Sequence, residues 1–216
     1  MKRDKIKILE RKIPHSGFLT LEKLRCATRI NDGYSPPYSV EVVHRRGVDC
    51  VSAVIYFRAP KTRKIMVGIR RAHRASLYSR KFLSPPLKDK KRYDATYEAV
   101  AGSAEPGDRG IAGLKRRMAQ EILEETGLSV KVGDLKTLGA GFFPSHGQST
   151  EKIYLFAVRI PPVKQKILKQ KDAKGGEAGG ILKFFELNRA ISLCVKGVME
   201  DPKIELGLRR LKERLR

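Results

Sequence analysis

At 216 residues the chain can bury a sizeable core, and 46 Lys and Arg against 23 Asp and Glu leave it a net charge of +23. No apolar run approaches the roughly 20 residues that a membrane-spanning helix needs, and the start, Met1-Lys2-Arg3-Asp4-Lys5, leads into no signal-peptide segment. Three widely spaced cysteines, Cys26, Cys50 and Cys194, argue against a disulfide framework and a zinc site, so the expectation is a cytoplasmic protein with no membrane partner.

In chain order, Ile6, Ile8 and Ile13 belong to an alternating segment, followed by a turn at Ser16-Gly17 and the apolar stretch from Phe18 to Leu21. Val40 to Val43 comes after the Pro36-Pro37 break, so residues 1–46 are expected to form a small N-terminal antiparallel β extension. Residues 47–216 make the main domain. Its first strand is the apolar run Val48 to Phe57, with a hairpin partner at Lys64 to Ile69 across Pro60-Lys61-Thr62. Residues 80–94, rich in Lys and broken by Pro85-Pro86, are expected as a loop. A strand from Tyr97 to Ala101 precedes a helix over about 110–126, where Leu114, Met118 and Ile122 form one buried stripe. Strands are expected near 129–133, 135–143 and 151–160, then an exposed loop over 161–180. A strand at 181–186, a helix from about 187 and a final helix near 202–215 follow, the last with Ile204, Leu208, Leu211 and Leu215 on one side. The fold class is α/β, a sandwich with helices on either side of a mixed sheet.

The charge would draw polyanions and steer phosphorylated substrates into a cleft. Between Lys61 and Arg92 the only acid is Asp89. Non-specific RNA association is compatible with such a surface, although no Arg-rich or aromatic repeat accompanies it.

The helix at 110–126 carries the chemistry. Glu121, Glu124 and Glu125 stand at i, i+3 and i+4, on one helical face, where they would repel one another unless they shared a cation. Oxygen-only ligands suit a hard divalent ion, Mg²⁺ or Mn²⁺, that also binds substrate phosphates. Gly127 is placed to stop the helix in the left-handed conformation.

With Gly102 and Asp108 upstream, and with Ile122, Gly127 and Leu128 around the glutamates, this stretch resembles the box of the Nudix hydrolase family. That box is a glycine, five residues, an acid, seven residues, then R-E-U-x-E-E-x-G-U with U aliphatic. The chain departs from it in three ways: Asp108 stands for Glu, Gln120 stands for Arg, and eleven residues rather than seven separate the two. Four extra residues are close to one helical turn of 3.6, which keeps the acidic and apolar faces nearly in register. The missing Arg is the one that, in the family, orients the helix by pairing with an acid.

Over most of its length the chain resembles the ADP-ribose (ADP-sugar) pyrophosphatase branch of that family. Arg45-Arg46-Gly47 resembles its entry to the core sheet, and Arg70-Arg71-Ala72-His73-Arg74 its strand ending in a substrate-facing Arg, here Arg74. Glu98-Ala99-Val100-Ala101-Gly102 resembles its E-x-x-A-G. Pro144 to Glu151 resembles its S-P-G-x-x-x-E loop, with His146 in place of Pro.

The resemblance implies a Nudix α/β/α sandwich in which Glu121, Glu124, Glu125 and the Ala101 carbonyl bind Mg²⁺ or Mn²⁺. It makes Arg74, Glu98 and Glu151 substrate-binding residues, and puts the general base on Glu177 of a Gly-rich loop or on a box glutamate, Glu124 or Glu125. The implied reaction is hydrolysis of the diphosphate of a nucleoside diphosphate sugar such as ADP-ribose to a nucleoside monophosphate and a sugar phosphate. A homodimer built through the N-terminal strands is implied as well. Two alternatives stay open: hydrolysis of RNA 5′ ends or dinucleoside polyphosphates, and a non-catalytic nucleotide-sugar-binding protein on the same fold.

Overall fold

A computed structural model describes residues 5–163, 167–169 and 180–216. Strands β1 (Ile6–Ser16), β2 (Thr20–Ile30), β3 (Gly33–Tyr34) and β4 (Tyr38–His44) form a four-stranded antiparallel sheet with β2 at its centre. Strand β1 is exposed along its whole length. This sheet is tied to the rest of the chain where the Val43 N–H donates to the Gln148 carbonyl at 2.8 Å. The boundary drawn between 46 and 47 falls in the turn after β4.

The second sheet contains β5 (Cys50–Arg58), β6 (Ile65–Ala72), β7 (Thr96–Glu98), β8 (Val100–Ser103), β9 (Lys136–Thr137), β10 (Ile153–Arg159), β11 (Ile167–Lys169) and β12 (Ile181–Glu186). Its order is β11-β12-β6-β5-β10-β9, with β7 paired to β6 and β8 to β5. Only β5 and β10 run parallel among the described pairs, so the sheet is mixed and the fold is α/β.

Alternation along the strands explains the two cores. In β5, Val51, Ala53, Ile55 and Phe57 face one side, where helix α2 (Gly110–Thr126) lays down Leu114, Met118 and Ile122. Cys50 and Val54 face the other, against α3 (Leu187–Val195) and α4 (Pro202–Arg214). The expected stripe on α2 is fully formed, with Met118 and Ile122 at 0% exposure. On α4, Ile204, Leu208 and Leu211 are buried, while Leu215 lies past the last turn at 36% exposure.

Several expected elements differ. Strand β6 runs on to Ala72 instead of stopping at Ile69, which brings Arg70 and Arg71 into the sheet. The single strand expected over Tyr97 to Ala101 is two: Ala99 leaves the ladder, and its N–H is taken by the Asp201 carboxylate at 3.0 Å. No strand forms at 129–133, where a 3₁₀ turn covers Val132–Asp134. The strand expected at 135–143 shrinks to Lys136–Thr137 and an isolated bridge from Phe142 to Ile153. Gly139, at φ +76°, turns the backbone out of the extended region there. Within the loop expected over 161–180, Ile167–Lys169 pairs with β12. The loop expected at 80–94 begins earlier and is partly helical, with α1 (Ala75–Tyr78) running into a 3₁₀ turn at Ser79–Phe82.

Candidate functional site

Helix α2 ends at Gly127, whose φ of +71° and N–H bond to the Leu123 carbonyl close the helix in the left-handed conformation. This fixes the last turn, and with it Glu121 and Glu125, against β8, while Glu124 faces outward. Gly102 on β8 has no room for a side chain, since a Cβ there would fall 1.9 Å from the Glu121 carboxyl carbon. The glycine opening the box is therefore the seat of the first glutamate.

Beneath the helix lies a buried cation. Alternation puts Arg70 on the face of β6 that α2 covers, directly opposite Glu98 of β7. Arg70 is 0% exposed. Its Nη1 donates to Glu98 Oε1 at 2.6 Å and to Glu125 Oε1 at 2.8 Å. The Ala101 N–H donates to the other Glu125 oxygen at 3.1 Å. Burial pushes the Glu125 carboxyl up to about 8, with the Glu98 and Glu121 charges adding to it, against Arg70 and the Ala101 amide, which favour the ionised form. Arg74, just beyond β6, forks onto Glu98 with Nε to Oε2 at 2.6 Å and Nη2 to Oε1 at 2.9 Å. Glu98 thus sits between two guanidinium groups, one buried and one facing outward.

The arginine–acid pair that Gln120 leaves unmade is found one turn earlier. Arg117 Nε donates to Asp108 at 2.8 Å, and its Nη1 stands 4.0 Å from Glu121. Burial raises the Asp108 carboxyl, but the Arg117 bond and the Glu105 amide outweigh it and hold it below its ordinary value. Gln120 instead donates to Glu124 at 2.7 Å. The usable signal was that Arg117 lies four residues before Glu121, on the same helical face.

The sequence-derived residues therefore divide. Glu98, Ala101, Glu121 and Glu125 converge with Arg74, while Glu124 lies on the exposed side of the same turn. Glu151 pairs with Arg45, a partly buried contact at the junction with the N-terminal sheet, and is not bonded to the glutamates. His146 stacks against Phe143 at 5.6 Å. Glu177 lies outside the described residues. Arg70, Arg117 and Asp201 are the residues that sequence reasoning missed.

Among the described residues no three His, Cys, Asp or Glu side chains are drawn together as a ready metal cage. The donor chemistry still fits a hard divalent ion. Glu125 accepts from Arg70 through one oxygen and from the Ala101 amide through the other, and each oxygen keeps a lone pair for an ion. A cavity of about 890 Å³ opens beside Arg74 and Glu98. No helix among the described residues is long and apolar enough to cross a membrane.

No protein-family model matches the chain, and no curated protein does. Solved structures of the T. brucei MERS1 protein share a partial likeness. The MERS1–RNA complex has a TM-score of 0.47 at 10% identity over 68% of this chain and 54% of that one. The MERS1–GDP complex has 0.46 at 12% over 68% and 52%, and the apo form 0.42 at 10% over 62% and 56%. The chain thus spans about half the length of these structures.

The raised Glu125 carboxyl has a sign that can be checked. Its unfolded form ionises near 4.5, while the folded one holds its proton to about 8. Its contribution to stability is thus fully present below 4.5 and is lost as pH rises toward 8. Denaturant titrations without divalent ions should show this fall, and Glu125→Gln should flatten it. An unchanged slope in the variant would contradict the burial argument.

Proposed function

We propose that this protein is a Mg²⁺- or Mn²⁺-dependent hydrolase of the Nudix type that cleaves the diphosphate of a nucleoside diphosphate sugar, ADP-ribose being the reference substrate. The observation that carries this reading is the acidic end of α2 seated on Gly102 and Ala101 beside the Arg70–Glu98–Arg74 array. The box motif and its surroundings meet there in space. A catalytic surface needs such convergence, and a merely solvated helix face does not.

Glu121, Glu124, Glu125 and the Ala101 carbonyl would hold the ion. When bound, it would offset the charge that grows as a phosphorus–oxygen bond breaks and would lower the pKa of a water. Arg74 has its guanidinium plane set by Glu98 and can hold a phosphate in a fixed orientation. Arg70 keeps Glu98 and Glu125 in place from below. Glu125, drawn to the ion, would be ionised there and is the box glutamate placed to take a proton from water. Glu177 remains the other candidate base, on sequence grounds. The products would be a nucleoside monophosphate and a sugar phosphate.

Strand β1 supports the homodimer implied by the family. Among the described residues its outer backbone edge is unpaired, and Ile6, Ile8, Leu9 and Ile13 are each more than half exposed, an arrangement that a second copy would cover. Sedimentation at micromolar concentration should give a dimer that Ile8→Lys weakens. A monomer at every concentration would remove this part of the proposal.

Hydrolysis is tested by phosphate-coupled assays on nucleotide sugars, dinucleoside polyphosphates and 5′-triphosphate RNA with Mg²⁺. ADP-ribose or a related sugar should be cleaved, with a loss on the order of 100-fold in Glu124→Gln. Cleavage of RNA alone would shift the reading to RNA 5′ ends. Ligand binding without turnover of any substrate would make the chain a nucleotide-sugar-binding protein.

A further inference from the structure

Strands β6 and β7 pair antiparallel with Ala72 opposite Thr96, a geometry that a turn of about two to five residues can close. The chain instead spends residues 73–95 on the connection, with α1 and a 3₁₀ turn inside it. Surface connections of this kind are where binding residues concentrate. It is also well anchored. His73 Nδ1 stands 2.5 Å from the Asp94 carbonyl oxygen across the base of the loop. Arg80 forks onto Asp89 at 3.0 and 3.1 Å. Lys91 reaches Glu200 at 2.8 Å and the Gly197 carbonyl at 3.0 Å, tying the loop to the junction of α3 and α4.

The space so enclosed is the cavity of about 890 Å³ that touches Arg74 and Glu98. Its wall carries Arg71, Arg74, Arg80, Lys91, Arg92 and Lys203 against three acids, Glu98, Glu200 and Asp201. Those acids are already engaged. Glu98 is shared by two arginines, Glu200 is paired with Lys91, and Asp201 is bonded to Lys203 and to the Ala99 amide. Arg71 and Arg92 form no ion pair among the described residues. A second cavity of about 440 Å³ abuts the first, sharing Arg80, Lys91, Arg92 and Tyr93, and its single acid, Asp89, is held by Arg80. Gathering cations in a concave wall costs repulsion unless an anion enters, and the concavity concentrates their field. A neutral sugar would gain nothing from it.

We propose that this cavity binds a phosphate group of the substrate beyond the scissile diphosphate, gripped by Arg71 and Arg92. The preferred substrate is then a nucleotide bearing a further phosphate. This deepens the hydrolase reading and rests on it for the position of the diphosphate, which lies on the far side of Glu98 toward Glu125. Guanidinium groups suit the task because they bind phosphate in a two-pronged, oriented way.

The test measures binding by calorimetry without added metal, so turnover is not needed. The probes are ADP-ribose, ADP-ribose 2′-phosphate and a 5′-phosphorylated single-stranded oligonucleotide. The 2′-phosphate should tighten binding by about tenfold or more. That gain should vanish in the Arg71→Ala/Arg92→Ala double variant and survive in part in Arg71→Lys/Arg92→Lys. An oligonucleotide that binds still more tightly, and is weakened by the same double variant, would support the proposal and name a strand end as the phosphate source. Equal affinity for the two ADP-ribose forms, with oligonucleotide binding indifferent to the double variant, would overturn it, as would no binding of any probe. Phosphate-dependent binding here, with no turnover of any of these probes in the Mg²⁺ assays, would refute the hydrolase reading and leave the cavity assignment standing.

Discussion

The Arg70 guanidinium, wholly out of solvent, is the group around which the site is arranged. A buried charge is costly unless its partners are close and well aligned. Two carboxylates meet it here, Glu98 from the neighbouring strand and Glu125 from the helix above. Losing one partner from such a set typically costs about 3–5 kcal/mol, so the three residues fix one another. The pairing locks the C-terminal turn of α2 to β6 and β7, and it determines which way Glu98 turns its remaining oxygen, toward Arg74 and the cavity. Interior stability and the orientation of the outward-facing arginine therefore depend on the same contact.

Charge is handled in the same way across this region. Acids are few, and those near the site are each assigned: Asp108 to Arg117, Glu98 to Arg70 and Arg74, Glu200 to Lys91, and Asp201 to the start of α4 and the Ala99 amide. Part of the excess positive charge lies on the long β6–β7 connection, where seven Lys and Arg stand against two Asp. Glu98 and Arg74 are the residues that the acidic end of α2 and the basic cavity have in common. A substrate with a charged phosphate chain and an associated metal ion would match both.

Sequence made the elements with strong periodicity plain. The α2 stripe of Leu114, Met118 and Ile122, the run into β5 and the break between the two sheets could each be read from spacing alone, because burial on one face imposes a period. What escaped had no such signature. Arg70 reads as one more basic residue in a basic stretch; its burial follows from β6 running three residues longer than its apolar run. The Arg117–Asp108 pair was hidden because attention fell on Gln120, although the helical turn that displaced the arginine was countable. The strands expected at 129–133 and 135–143 failed where glycines and a buried loop carrying Leu135 and Leu138 gave the backbone another way to satisfy itself. Glu151 was read from a motif, but its partner, Arg45, is more than a hundred residues away in sequence, and no local pattern gives that.

On this reading the acidic end of α2, held by Arg70, is a divalent-cation site facing a nucleotide. Mn²⁺ titration followed by water-proton relaxation tests it most directly, with and without ADP-ribose. The account predicts a saturable site, tightened by the nucleotide and weakened by roughly tenfold or more in Glu121→Gln and Glu124→Gln, with folding intact. Mn²⁺ binding that never saturates, or that both variants leave as tight as in the parent protein, would contradict it.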